Sequence, residues 1–129
     1  MNNFIAEVIE AVAAWEDVYR ETDQQVRFFL DDDIVGLIDG DGLIYIPLTP
    51  LICERLSHSD NVLKHYEITE NGEIQLHIRD YVDTQHAIWL LRLSYIHKMI
   101  RQSRRNKDRM SQLRRQMRKE DQDIFAFIN

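Results

Sequence analysis

The chain has 129 residues and a mass of 15.4 kDa, with 44% hydrophobic residues, 29% charged residues and a net charge of −6. This length and composition indicate one globular domain and exclude a disordered tail or a collagen-like fibre. Cys53 is the single cysteine, which excludes an intramolecular disulfide and a cysteine-based zinc site. We expect Cys53 to be a buried structural thiol.

Neither a membrane segment nor a secretory leader is predicted. The sequence has no run of about 18 apolar residues, which a membrane span requires. The first seven residues carry an early acid and no basic flank, unlike a signal peptide. We therefore expect a cytoplasmic protein that has no contact with a membrane.

The first third of the chain changes from helical to strand periodicity. Apolar residues recur at helical spacing over residues 3–20, which predicts an amphipathic helix. Runs rich in β-branched and aromatic residues then predict three strands, over 25–30, 34–38 and 43–48.

Turn signals separate these elements. Asp31-Asp32-Asp33 follows the first strand, and Asp39-Gly40-Asp41-Gly42 follows the second. Clustered aspartates are also the oxygen ligands of Ca²⁺ or Mg²⁺, but we favour turn chemistry because Asp bonds its own backbone in turns. Thr49 and Pro50 then predict the cap and first residue of a short helix that ends near Ser57.

A β-hairpin is predicted over residues 64–78. A two-residue Asn-Gly loop would mix apolar and polar side chains on both faces of the hairpin. A three-residue loop, Glu70-Asn71-Gly72, pairs Ile68 with Ile74 and Tyr66 with Leu76, so that one face is apolar throughout. Register follows the hydrophobic pattern, and we choose the second loop.

The same register suggests a metal-site hypothesis. His65 would face His77 on the polar side of the hairpin, with Glu67 on the same face, and opposed side chains have Cβ atoms about 5 Å apart. Two imidazoles and a carboxylate could hold Zn²⁺ or Ni²⁺ with one further ligand, or act as a pH switch. Two polar residues on a wetted strand are the more ordinary interpretation.

One long helix is predicted over residues 83–119, capped by Asp83 or Thr84. It is apolar almost all round from Ala87 to Ile100, which predicts burial on more than one side. A straight helix of that length would measure roughly 54 Å, more than a compact domain of this size can contain. The second half must therefore protrude, bend back or join a partner.

Charge divides the chain into two parts within one domain, an acidic core over 1–97 and a basic extension with an apolar end over 98–129. Residues 1–97 hold six basic and 18 acidic residues, a balance of −12, whereas residues 98–129 hold ten basic and four acidic residues, a balance of +6. This asymmetry suggests docking of the extension on an acidic surface of its own body, of a sister subunit or of another partner.

The predicted fold class is α+β, in the order helix, three antiparallel strands, short helix, β-hairpin and long C-terminal helix. This order resembles that of the small acidic chaperones of bacterial secretion systems. The resemblance implies a homodimer that holds an unfolded partner, although the long basic helix departs from that pattern.

The favoured function is a non-enzymatic protein-interaction module, an adaptor, regulator or chaperone-like subunit that self-associates or joins a larger complex. No catalytic motif is present, such as a P-loop, Gly-x-Gly-x-x-Gly, His-Glu-x-x-His or Gly-x-Ser-x-Gly, and we expect no cofactor. The residues predicted to contact a protein partner are Arg104, Arg105, Met110, Leu113, Arg114, Met117, Phe125 and Phe127.

The alternative is a regulator that binds the phosphates of a nucleic acid. The basic stretch has no aromatic residue between 98 and 119 on which bases could stack, so that binding would be non-specific and sensitive to salt. The residues predicted to bind phosphates are Arg101, Arg104, Arg105, Arg109, Arg114, Arg115 and Arg118.

Overall fold

The computed structural model describes residues 3–58, 66–69 and 72–128. Five helices lie in the described part: α1 (Asn3–Ala13), α2 (Pro50–Ser57), α3 (Tyr81–Ser103), α4 (Lys107–Gln116) and α5 (Asp121–Ile128). The strands are β1 (Val18–Thr22), β2 (Val26–Leu30), β3 (Asp33–Ile38), β4 (Leu43–Pro47), β5 (Tyr66–Ile68) and β6 (Glu73–His77). All six form one antiparallel sheet in the order β1-β2-β3-β4-β6-β5, which confirms the predicted α+β class.

Aspartates build the turns between the early strands, as predicted. Asp31 adopts a φ of +53° in the turn that joins β2 to β3. The side chain of Asp39 accepts hydrogen bonds from the backbone N–H groups of Asp41 (2.9 Å) and Leu43 (3.1 Å). Gly42 completes that turn with a φ of +86°, which glycine adopts without steric cost.

The hairpin register and the cap of the short helix are also confirmed. Ile68 pairs with Ile74 and Tyr66 with Leu76, while Gly72 has a φ of +79°. The Thr49 side chain accepts a hydrogen bond from the backbone of α2 (3.3 Å), and Pro50 is the first residue of that helix.

The core lies between α3 and the inner face of the sheet, the face that carries the buried side chains Phe28, Ile38, Ile44 and Ile74. Helix α1 packs beside α3. Helix α3 packs tightly over β3 at Gly36, where an added Cβ would lie 2.4 Å from a methyl group of Leu91. A residue without a side chain therefore sets the distance between helix and sheet.

The predicted helix over 3–20 is too long. Helix α1 ends at Ala13, and residues 18–22 form β1, so that four strands rather than three precede α2. Asp17 turns the chain with a φ of +63°. Trp15 and Tyr19 continue the helical spacing of α1, but Trp15 is buried within the turn and Tyr19 pairs with Phe29 across the strands.

The predicted single helix over 83–119 is also wrong. Helix α3 begins at Tyr81, since Asp80 is its cap: the Asp80 side chain accepts from the Asp83 N–H (2.8 Å), and the Asp83 side chain accepts from the Arg79 N–H (2.9 Å). The helix then ends at Ser103.

Helix α4 starts anew after Asn106, whose side chain accepts from the Asp108 N–H (2.9 Å). A second break separates α4 from α5 at residues 117–120. Both helices contact α3, so that the chain bends back. We call residues 104–128 the C-terminal arm.

Candidate functional site

Arg109 attaches the C-terminal arm to the acidic body through a buried guanidinium that is 6% exposed. It forms ion pairs with Asp17 (2.9 Å) and Asp31 (2.8 Å), donates to Gln102 (2.7 Å), and also bonds Gln112. Burial lowers the pKa of Arg109, but the two carboxylates outweigh it, and the net effect raises the pKa. This guanidinium remains charged and fully engaged within the fold.

Arg92 holds the far end of the arm. Its Nε and Nη2 donate to the two carboxylate oxygens of Asp121 at 3.0 and 2.8 Å, and both side chains are buried. The guanidinium also lies over the rings of Trp15 (5.1 Å) and Tyr95 (4.9 Å). Burial raises the pKa of Asp121, whereas hydrogen bonds from Arg92 and from the Arg118 backbone lower it, and the lowering prevails.

The apolar end of the chain docks on the same domain. Ile124 is buried, and the ring of Phe127 packs edge-on against Trp89 with centroids 5.8 Å apart. The Arg55 side chain donates to the carbonyl oxygen of Phe127 (2.8 Å). This end therefore contributes to the core of its own chain.

The residues predicted to contact a protein partner thus fall into two groups. Leu113 is buried, and Phe125 and Phe127 are half-buried against the core. The exposed members are Arg104, Arg105, Met110, Arg114 and Met117.

The residues predicted to bind phosphates divide in the same way. Arg109 is buried in ion pairs, and Arg115 pairs with Glu16 at 2.8 Å. The remaining five are exposed on the arm and at the end of α3: Arg101, Arg104, Arg105, Arg114 and Arg118. In the described part of the chain, no carboxylate lies within ion-pair distance of these five arginines.

The sheet has a second, outer face that sequence reasoning did not select. Cross-strand pairing places Tyr19 beside Phe29, Phe29 beside Ile34, and Leu37 beside Tyr45 on this face. Tyr19 is 60% exposed, and the other four are half-buried. We call these five residues the outer apolar patch.

Polar residues share this face with the outer apolar patch. Arg27 lies on β2 directly opposite Leu37 and forms an ion pair with Asp23 (3.0 Å), and Glu67 and Glu73 lie on β5 and β6. Within the described strands, no side chain that points to this face is fully buried. The sequence did contain a signal for this face. Apolar residues occupy both the odd and the even positions of β2 and β3, whereas a sheet with one covered face requires them only at alternate positions.

The metal-site hypothesis rests partly on a residue outside the described part, since His65 is not described. Glu67 pairs with Gln75 across the hairpin, and His77 lies opposite Leu43 with its Nε2 donating to the Asp41 carbonyl oxygen (3.0 Å). Over 3–58, 66–69 and 72–128, no group of three or more His, Cys, Asp or Glu side chains is placed to hold a metal ion.

Cys53 is buried, as predicted, and its thiol donates to the Gly72 carbonyl oxygen (3.4 Å). Burial raises the pKa of this thiol, which keeps it protonated and unreactive at neutral pH.

Comparisons with known proteins identify no relative. No protein-family model matches the chain, and no curated protein or solved structure is significantly similar to it. Among the described helices, none combines the length and apolar character needed to cross a membrane. The function must therefore be argued from the surfaces themselves.

Proposed function

We propose that this protein is a non-enzymatic assembly module that self-associates through the outer face of its sheet. The observation that supports this proposal is the outer apolar patch, five apolar side chains on one face of four strands: Tyr19, Phe29 and Ile34 are cross-strand neighbours, and Leu37 and Tyr45 form a second neighbouring pair. Contiguous exposed apolar surface on a small protein typically marks an interaction site.

Charge placement favours a second copy of this chain as the occupant. A two-fold axis through the centre of the sheet would set β2 of one copy against β6 of the other. The strand register puts Arg27 of β2 level with Gln75 of β6, and Glu73 lies two residues further along β6, within reach of the long Arg27 side chain of the other copy; the same pair would recur on the other side of the axis. The apolar side chains of β3 and β4, which are Ile34, Leu37 and Tyr45, would lie between these two charged pairs.

The size of the face indicates a weak dimer. Six strands about 4.8 Å apart and about 17 Å long present roughly 450 Å² per copy. The resulting total of about 900 Å² lies at the low end of specific interfaces. We therefore expect an equilibrium between monomer and dimer that shifts with protein concentration.

Sedimentation velocity over a wide concentration range tests this proposal. The wild-type chain should sediment increasingly as a dimer of 15.4 kDa subunits as concentration rises. Leu37→Glu should keep it monomeric, because the substitution places a charge at the centre of the apolar patch. Met110→Glu is the matched control, since Met110 is also partly exposed (39%) but lies on α4.

A charge exchange tests the geometry. Arg27→Glu should weaken the dimer, and adding Glu73→Arg should restore it, because opposite charges would again face each other. A wild-type chain that stays monomeric at every concentration would refute self-association. A dimer that Met110→Glu disrupts and Leu37→Glu does not would place the interface on the C-terminal arm instead.

Nucleic-acid binding is the second candidate, and the five exposed arginines on the arm and at the end of α3 support it. Fluorescence anisotropy with a labelled duplex of arbitrary sequence should then show binding that weakens steeply from about 50 to 200 mM salt. Arg104→Glu combined with Arg105→Glu should abolish it. Binding that is unaffected by salt or by this charge reversal would exclude the arginines as the contact.

A further inference from the structure

A cleft lies where β3 begins and β4 ends, beside the middle of α3. Its volume is about 320 Å³, and its wall includes the side chains of His97, Lys98 and Arg101 from α3. Ile34, Pro47 and Leu48 supply apolar wall. This volume falls at the lower end of the range for small-molecule sites.

Lys98 is a buried cation that forms no direct ion pair within the described part of the chain. Its side chain is 6% exposed, and its Nζ donates to the Pro47 carbonyl oxygen at 2.7 Å. In the described part of the chain, no carboxylate lies within ion-pair distance of Nζ. An ammonium has three protons to donate, and burying it without an opposite charge is costly.

His97, next to Lys98, is also incompletely satisfied. The ring is 9% exposed, and its Nδ1 is buried with no hydrogen-bond partner among the described residues. Burial and the adjacent Lys98 lower the pKa of His97 to about 4, so that the ring is neutral at pH 7. Burial likewise lowers the pKa of Lys98 to about 8, which leaves the ammonium mostly protonated at neutral pH.

Two carboxylates, Asp32 and Asp33, line the same cleft. Asp33 accepts a hydrogen bond from Gln102 at 3.0 Å, and Asp32 is exposed to solvent. Their two negative charges balance those of Lys98 and Arg101. A ligand with two negative charges would be repelled, whereas one negative charge can be accommodated beside the buried ammonium.

We propose that this cleft binds a small apolar monocarboxylate, whose carboxylate group lies between Lys98 and Arg101 and whose apolar body contacts Ile34, Pro47 and Leu48. The ligand would form with Lys98 the direct ion pair that Asp32 and Asp33 do not form. It also occupies a cleft with polar groups on one side and apolar groups on the other, the usual composition of a small-molecule site. The site shares one residue, Ile34, with the outer apolar patch, but its cationic groups lie on α3 and not on the outer face of the sheet.

Calorimetric titration of the full chain with benzoate tests the proposal, with benzamide as the uncharged analogue and sulfate as the doubly charged probe. Benzoate should bind saturably at pH 7, and benzamide and sulfate should bind at least about tenfold more weakly, because benzamide has no charge and sulfate has two. Benzoate should also raise the pKa of Lys98, measured by NMR of its side chain, because a bound anion stabilises the ammonium.

Two variants locate the site. Lys98→Met and Arg101→Gln should each weaken benzoate binding by about ten- to a hundredfold, the usual loss of a charge-assisted hydrogen bond. Arg114→Gln is the matched control, since Arg114 is an exposed arginine outside the cleft. Arg101 is exposed as well, so its replacement should leave the fold intact. Arg101→Gln therefore still tests the site if Lys98→Met does not fold.

Three results would overturn the proposal. These are absence of benzoate binding up to its solubility limit, equal binding of benzoate and benzamide, and unchanged benzoate affinity in Arg101→Gln. Tighter binding of sulfate than of benzoate would overturn the ligand class.

Discussion

Replacing Lys98 by methionine is expected to stabilise the unliganded protein at pH 7 by about 2 kcal/mol. Burial lowers the pKa of Lys98 from 10.5 to about 8, so that keeping the ammonium charged at pH 7 costs the folded state about 3 kcal/mol. Methionine has a similar length and no charge. The variant loses one hydrogen bond to the Pro47 carbonyl, worth about 1 kcal/mol, and Ser94 still donates to that oxygen (3.4 Å).

The effect of Lys98→Met on the free energy of unfolding should depend on pH in a definite direction. Between pH 8 and 10.5 the unfolded chain retains the proton on Lys98 and the folded chain has released it, so that wild-type stability rises with pH over this interval. The advantage of Lys98→Met should therefore shrink from about 2 kcal/mol at pH 7 to near zero at pH 10. Tyr95, whose pKa burial raises to about 12, titrates in both proteins and cancels in the comparison.

Urea unfolding of both proteins at pH 7 and pH 10, followed by circular dichroism, measures the two differences. A variant that is less stable than the wild type at pH 7, or a difference that does not change with pH, would refute the claim that Lys98 is a buried cation without a direct ion pair.

Three further predictions follow from buried contacts. Asp121→Asn should lower the free energy of unfolding by about 3–5 kcal/mol in urea, because it leaves the buried guanidinium of Arg92 without its partner. His97→Leu should reduce by about 3 kcal/mol the loss in free energy of unfolding between pH 7 and pH 4. The pKa of His97 is near 4 in the folded state and 6.5 for a free imidazole, so wild-type stability falls as the pH drops through that range. Gly36→Ala should cost about 1–3 kcal/mol in thermal unfolding, whereas Gly40→Ala, where an added Cβ meets nothing within 4 Å, should cost much less.

Local sequence signals predicted the turns, the short helix and the hairpin register because each depends on neighbouring residues. Thr49 and Pro50 define a helix start by their own chemistry, and Gly72 supplies the left-handed conformation that the three-residue loop requires. Register then followed from placing Ile74 and Leu76 on one face. These inferences need no knowledge of the remainder of the fold.

The two errors in helix length arose where distant contacts decide the structure. Trp15 and Tyr19 extend the periodicity of α1, but pairing of residues 18–22 with β2 is favoured over further helix. The break after Ser103 contains neither glycine nor proline. Asn106 was the available signal, since asparagine is a favourable N-cap and here caps a new helix.

The division of the basic residues could not be predicted from the sequence. Arg109 and Arg114 have the same local chemistry, yet one is buried against Asp17 and Asp31 and the other remains in solvent. The difference depends on carboxylates more than 70 positions earlier in the chain. Sequence reasoning therefore identified the right charge asymmetry but could not separate arginines that fasten the fold from arginines that are free to bind.

The pairing of Arg92 with Asp121 has a consequence for synthesis of the chain on the ribosome. The two residues are separated by 29 positions, which corresponds to about 1.5 to 6 s of translation. During that interval the nascent chain holds the arginine of its central helix without the carboxylate that neutralises it. Helix α3 can therefore pack fully against the sheet only after Asp121 has emerged. A translational pause before the Asp121 codon would lengthen the time during which the core is incomplete and exposed.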